Sequence, residues 1–121
     1  MATSDLDTIL DLNTLEQYCS AIGAGTLLKS VVLFEQLLPE YLNNLQQAAD
    51  TQNHELLCSE AHKFKGAAGS VGLKRIHYYA QLLQHGDTPE WAGQHPAWLK
   101  AITQYVADDL QQLKAFLQAK A

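Results

Sequence analysis

From residue 61 to residue 72 the chain reads Ala-His-Lys-Phe-Lys-Gly-Ala-Ala-Gly-Ser-Val-Gly: a histidine, two lysines within three positions of it, then a stretch nearly bare of side chains. Neutral imidazole is a nucleophile, and with an ordinary pKa of about 6.5 much of it is neutral near pH 7. Lysines beside it suit a small anionic group on a partner. At about 100° per residue, Leu57, Ala61, Phe64, Ala68 and Val71 fall within about 40° of one line, the expected core stripe of a helix. His62 lies about 140° from the centre of that stripe, so it faces outward. Gly66 and Gly69 follow on its side, one and two turns on. A glycine inside a helix costs roughly 1 kcal/mol relative to alanine. Two of them beside an exposed imidazole imply that something approaches the main chain closely there.

The elements that hold this stretch are helical throughout. Asn13 followed by Glu16 reads as a capping box that opens a short helix ending near Gly23. A long helix is predicted over 25–50, lined by Leu28, Val31, Leu38, Leu42 and Leu45, with Val32, Phe34 and Tyr41 broadening the face; Pro39 should kink or locally open it. The helix carrying His62 spans about 53–69, and 70–72 forms a turn. The next helix, 73–85, places Leu73, Ile76, Ala80 and Leu83 on one side. Residues 86–96 read as the one real loop, with Trp91 packing down as its anchor. The last helix, 97–120, carries Ile102, Val106, Leu110, Leu113 and Leu117. The expectation is an all-α chain: an antiparallel up-and-down four-helix bundle with a short extra N-terminal helix, preceded by a flexible segment over 1–11.

At 121 residues this is one domain, 1–121, large enough for a single core. The formal charge of −5 argues against nonspecific nucleic-acid binding and against a polybasic membrane attachment. The charge is unevenly spread. Between positions 61 and 86 there is no Asp or Glu, whereas Lys63, Lys65, Lys74 and Arg75 make up half of the basic residues. They form a positive patch on an acidic body, or simply a solvated helix edge. The two cysteines, Cys19 and Cys58, have no CxxC spacing, the start of the chain is unlike a signal peptide, and no apolar run is long enough to span a membrane. A reduced, cytoplasmic protein is expected.

The 61–72 stretch resembles the signature of histidine-containing phosphotransfer (HPt) domains, four-helix modules that carry a phosphoryl group between receiver-domain aspartates. The run Asp-Leu-Asn-Thr-Leu-Glu-Gln-Tyr at 11–18, the run Phe34 to Tyr41 and the run Gly66 to Leu73 are similar to the branch of that family found at the C-terminal end of anaerobic redox-control (Arc) hybrid sensor kinases. The resemblance implies a phosphocarrier of a two-component phosphorelay rather than a nucleotide-using kinase. His62 is then the phosphoacceptor, loaded by the receiver domain of a hybrid sensor kinase and unloaded by that of a response regulator. It also implies no cofactor on this chain, Mg²⁺ being supplied by the receiver, and a monomer that touches neither nucleic acid nor membrane directly. Lys65 would lean over the phosphoryl oxygens and Lys63 would steer the partner. Gly66 would clear the approach; Gly69 would do the same or end the helix. In the family a glutamine 22 positions after the histidine holds its second nitrogen; here that is Gln84, whose other reading is a boundary residue that only solvates.

Other readings fit less well. Bundle di-iron sites use Glu-x-x-His, and no Glu here has a His three positions later; nor do any of the five histidines pair at i,i+4. A nucleotide-cradling loop and a nucleophile–base–carboxylate set are both missing. The alternative that stays open is a non-catalytic receiver-binding module of the same fold.

Overall fold

The computed structural model describes residues 3–121, and its order is α1 (Thr3–Ile9), α2 (Leu12–Ile22), α3 (Ala24–Asp50), α4 (His54–Ser70), α5 (Lys74–Gln84) and α6 (Trp91–Lys120). α3, α4, α5 and α6 form the bundle: α4 packs most extensively on α5, α5 on α6, and α3 closes the ring against both α4 and α6. Short turns between successive helices make the neighbours antiparallel. α2 covers one end through α3, and α1 rests on α5.

The hydrophobic stripes read from the sequence are the buried ones. On α4 these are Leu57, Ala61, Phe64 and Ala68; on α5 Ile76, Ala80 and Leu83; on α6 Ile102, Val106, Leu110, Leu113 and Leu117. On α3 the centre of the stripe is Leu27, Val31, Phe34 and Leu45, while Leu28, Leu38 and Leu42 are half-buried and Val32 is exposed. Phe64 is the keystone between α3 and α4. Its ring lies 6.0 Å from that of Phe34 and 5.5 Å from that of Tyr41, within the range of favourable aromatic pairing.

Three expectations are corrected. The leader expected to be flexible over 1–11 holds a helix, α1, with Leu10 fully buried behind it; residues 1 and 2 lie outside the described residues. The cap of α2 is Asp11, not Asn13: the Asp11 carboxylate accepts from the Thr14 N–H at 3.2 Å and the Thr14 hydroxyl at 2.8 Å. Pro39 sits exposed within α3, which runs on through it to Asp50. Finally, α6 starts at Trp91 rather than near 97, with Pro96 inside it. Burial of Trp91 sets that start, and its indole N–H donates to the Leu83 carbonyl at 2.9 Å. Pro96 denies a donor only to the Ala92 carbonyl, and Ala92 is exposed, so water can replace it.

Two glycines shape the connections. At Gly23 (φ +88°) α2 ends and α3 begins, and the chain bends by 119°. At Gly72 (φ +79°) α4 ends in a Schellman motif: the Leu73 N–H reaches the Ala68 carbonyl at 3.0 Å and the Gly72 N–H the Gly69 carbonyl at 3.1 Å. The Gly72 carbonyl in turn accepts the Asp11 N–H at 2.9 Å, which ties the α1–α2 junction to the end of α4. Among the described residues no single helix is long and apolar enough to cross a membrane.

Arg75 leaves the expected basic patch. Its Nε and Nη2 donate to the two oxygens of the fully buried Asp109, at 3.1 and 2.5 Å, and its guanidinium lies 3.9 Å from the centre of the Tyr105 ring. The hydrogen bond to Asp109 holds the arginine pKa above its usual value. Removing one partner of a buried pair strands the other charge. Arg75→Met is therefore expected to lower unfolding stability by about 3 kcal/mol or more. The double variant R75M/D109L should recover most of that in urea titration, because no charge is left buried.

Candidate functional site

α4 starts behind Asn53, whose side-chain oxygen accepts the Leu56 N–H at 3.1 Å, and runs two turns to His62. With the apolar stripe pressed into the core, the opposite ridge faces solvent. It carries Glu55, Ser59, His62 and Gly66, all exposed. The His62 imidazole makes no hydrogen bond, ion pair or ring contact with any other described residue, so both nitrogens are open to a partner. Lys63 stands on the α3 side of the ridge, 63% exposed, with its ammonium 3.5 Å from Glu60. Such a loose surface pair exchanges readily for a better anion.

Lys65 stands on the α5 side, half-buried, and has no carboxylate partner among the described residues. Its charge reaches His77 of α5. Burial and then the Lys65 ammonium push the His77 pKa below its usual value, against the opposing pull of Asp11. Lys65 is thus the free ammonium near the ridge. Of the four basic residues counted from the sequence, Arg75 is consumed by Asp109 and Lys74 reaches the Asp7 carbonyl at 3.1 Å, leaving Lys63 and Lys65 for the site.

The two glycines on this face have different causes. A Cβ built on Gly66 meets no atom within 4 Å, so nothing inside the domain requires glycine there. A Cβ on Gly69 would lie 2.8 Å from Cδ2 of His77. Gly69 therefore lets the His77 ring lie against α4. It neither ends the helix, which Gly72 does, nor needs an outside visitor to explain it.

Gln84 ends α5 and makes no hydrogen bond to His62. Its Oε1 is buried and without a partner, and its side chain borders an open groove of about 610 Å³ lined also by His54, Cys58, Gly86, Asp87 and Trp91. Cys58 lies one turn before His62, so Gln84 flanks the α5 side of the ridge. Burial raises the Cys58 pKa, which keeps it a thiol. On the other flank lies a groove of about 260 Å³ between α3 and α4, floored by Phe34 and Tyr41 and edged by Leu33, Leu37, Ala67 and Ser70. Leu33 and Leu37 are 56% and 40% exposed, an apolar rim that sequence periodicity assigned to neither core nor site. Among the described residues no three His, Cys, Asp or Glu side chains are placed to hold a metal.

The helical bundle thus presents on one ridge an exposed imidazole, His62, with the Lys65 and Lys63 ammonium groups and the bare main chain of Gly66 beside it. Residues 29–119 match the family model described as the Hpt domain, and the chain belongs to that family. It is similar to the aerobic respiration control sensor protein ArcB of Escherichia coli, at 34% identity over 98% of this chain, and to ArcB of Shigella flexneri, at 33% over the same share. The chain spans about 15% of the length of those relatives. Its fold matches the histidine-containing phosphotransfer domain of Escherichia coli ArcB with a TM-score of 0.93 at 30% identity, covering 97% of this chain and 99% of that one. A solution structure of the same domain gives a TM-score of 0.87 at 31% identity over 95% and 92% of the two chains. The chain is a phosphotransfer module of the multistep phosphorelay type.

The two glycines can be separated experimentally. Gly66→Ala should fold at least as stably as the parent and gain up to about 1 kcal/mol of helix propensity. Gly69→Ala should unfold at a lower temperature, because the His77 ring must give way. Thermal melts of both variants check the assignment.

Proposed function

We propose that His62 is the phosphoacceptor and that this chain relays a phosphoryl group from a receiver-domain aspartate of a hybrid sensor kinase to that of a response regulator. The observation that carries the reading is the exposed, unengaged imidazole beside a glycine whose missing side chain serves nothing inside the domain. In the forward step a neutral ring nitrogen, Nε2 in this reading, donates its lone pair to phosphorus. The bond from phosphorus to the aspartyl oxygen breaks, and the carboxylate leaves with the electron pair. In the second step the regulator's carboxylate attacks phosphorus and the N–P pair returns to the ring. Neither step consumes a nucleotide.

Each neighbour has a part in this scheme. The Lys65 ammonium balances charge on the equatorial oxygens as they spread in the transition state. Lys63 releases Glu60 to steer the acidic rim of the receiver. Gln84 Oε1, an acceptor without a donor, takes the Nδ1–H of His62, so that the reacting nitrogen keeps its lone pair. The Leu33–Leu37 rim gives the receiver an apolar surface beside the acceptor, burial of which stabilises docking. In this reading the chain carries no cofactor of its own, Mg²⁺ belonging to the receiver, and it works in the cytoplasm as a monomer. A receiver-binding module without phosphoryl traffic would keep the rim but not need the free imidazole.

Incubation with a phosphorylated receiver should give acid-labile, base-stable phosphate on the parent and none on His62→Gln; equal labelling of both would end the proposal. Lys65→Ala should slow transfer roughly tenfold with little change in receiver affinity, as measured by rapid-quench kinetics. Leu37→Glu should do the reverse, weakening receiver binding about tenfold in calorimetry while the helical content is retained.

A further inference from the structure

At the end of the bundle where α4 and α6 begin and α5 ends, three rings close on one another. The Trp91 indole lies 4.3 Å from the His95 imidazole, centre to centre, one turn along α6. His54, the first residue of α4, meets Trp91 edge-on at 5.1 Å and His95 at 5.3 Å. Trp91 is buried, and its indole N–H is the donor that holds the Leu83 carbonyl, next to Gln84. The rings thus join the start of α4 to the start of α6, and through the indole they hold the last turn of α5, from which Gln84 projects.

We propose that Trp91 is a positioning residue for the phosphotransfer site, fixing Gln84 through the Leu83 carbonyl, and that protonation of His95 releases its hold. The role rests on the reading of Gln84 given above; the ring clasp itself does not.

The sign follows from the geometry. His95 Nδ1 is buried and has no hydrogen-bond partner, so a proton placed there finds no acceptor. Two imidazolium groups 5.3 Å apart would also repel one another. A cation over the indole face gains something in return, but that gain is open to only one of the two rings. Burial and then His54 both hold the His95 pKa below its ordinary value. A histidine whose folded-state pKa is depressed contributes stability that is complete above its unfolded value of about 6.5, and the contribution is lost as pH falls through the folded value.

The charged neighbours do not reverse this. Asp50 of α3 and Lys100 of α6 border the groove beside His95 with opposite signs, and the Asp50 carboxylate already accepts from Gln46 at 2.8 Å. On the other side Glu55 and Cys58 of α4 and Asp87 of the α5–α6 loop line the groove next to His54 and Trp91. Glu90, which precedes Trp91, is exposed.

The test uses the full chain and a phosphorylated receiver domain. In NMR spectra the Trp91 indole N–H of the parent should lose protection against solvent exchange, relative to the intrinsic rate at each pH, as pH falls from about 7.5 to about 5.0, and keep that protection in His95→Phe. Over the same interval the single-turnover rate of His95→Phe, divided by that of the parent at each pH, should rise roughly threefold. The ratio cancels any pH dependence that the two proteins share. A flat ratio with identical indole profiles overturns the proposal. Should His95→Phe not fold, His54→Gln at its exposed position is held to the same two outcomes. Trp91→Phe keeps an aromatic ring but loses the donor; it should lower the transfer rate several-fold without changing receiver affinity, and an unchanged rate removes Trp91 from the site. If Gln84→Leu transfers like the parent while the indole titration behaves as expected, the orienting role of Gln84 is what fails and the proton-sensitive clasp stands.

Discussion

The close approach of α4 to α5 is the constraint on which the site depends. Ala61 and Ala68 on one helix and Ala80 on the other are fully or almost fully buried, and Gly69 admits the His77 ring where any Cβ would collide with it. Small residues let two helix axes draw together, and the apolar stripe of α4 then has one way to be buried. With Leu57, Ala61, Phe64 and Ala68 turned inward, His62 is turned outward by the geometry of the helix alone. In the unpartnered domain no side chain among the described residues contacts the imidazole. Its orientation is a by-product of core packing one hundred and forty or so degrees away.

The electrostatics of the domain are sorted by depth. Arg75 and Asp109 neutralise each other in the core, Lys114 meets Glu35 at 3.0 Å across α6 and α3, and Lys120 meets Glu16 at 3.0 Å across α6 and α2. These pairs spend positive charge on joining helices. What is left unspent on the ridge is Lys65, with Lys63 only loosely engaged. An acidic protein therefore presents a locally cationic edge where an anionic group would be handled, and the helix-joining pairs leave that edge undisturbed.

Much of this was legible in the sequence, for identifiable reasons. The stripes of α4, α5 and α6 repeat at the helical period with few interruptions, so their buried faces and the outward turn of His62 could be read directly. Features that depend on a distant neighbour could not. Lys63, Lys65 and Arg75 look alike in a charge count; only Asp109, 34 positions on, separates Arg75 from the others. Gly66 and Gly69 look alike on a helical wheel, and only the His77 ring tells them apart. The start of α6 was hidden because Thr-Pro-Glu and His-Pro carry turn signals, while burial of Trp91 and its bond to the Leu83 carbonyl override them. His54 and His95 lie on different helices, so no spacing rule could have paired them.

The empty space above Gly66 has a consequence for how signalling circuits stay separate. Because a Cβ there meets nothing inside the domain, a small side chain at this one position would cost the packing nothing, and under the proposed relay it would bear on which visitors fit. If the receiver docks over it as proposed, a cell that runs several relays at once would have there a dial for insulating one pathway from another, one that a single small substitution could turn with little structural risk.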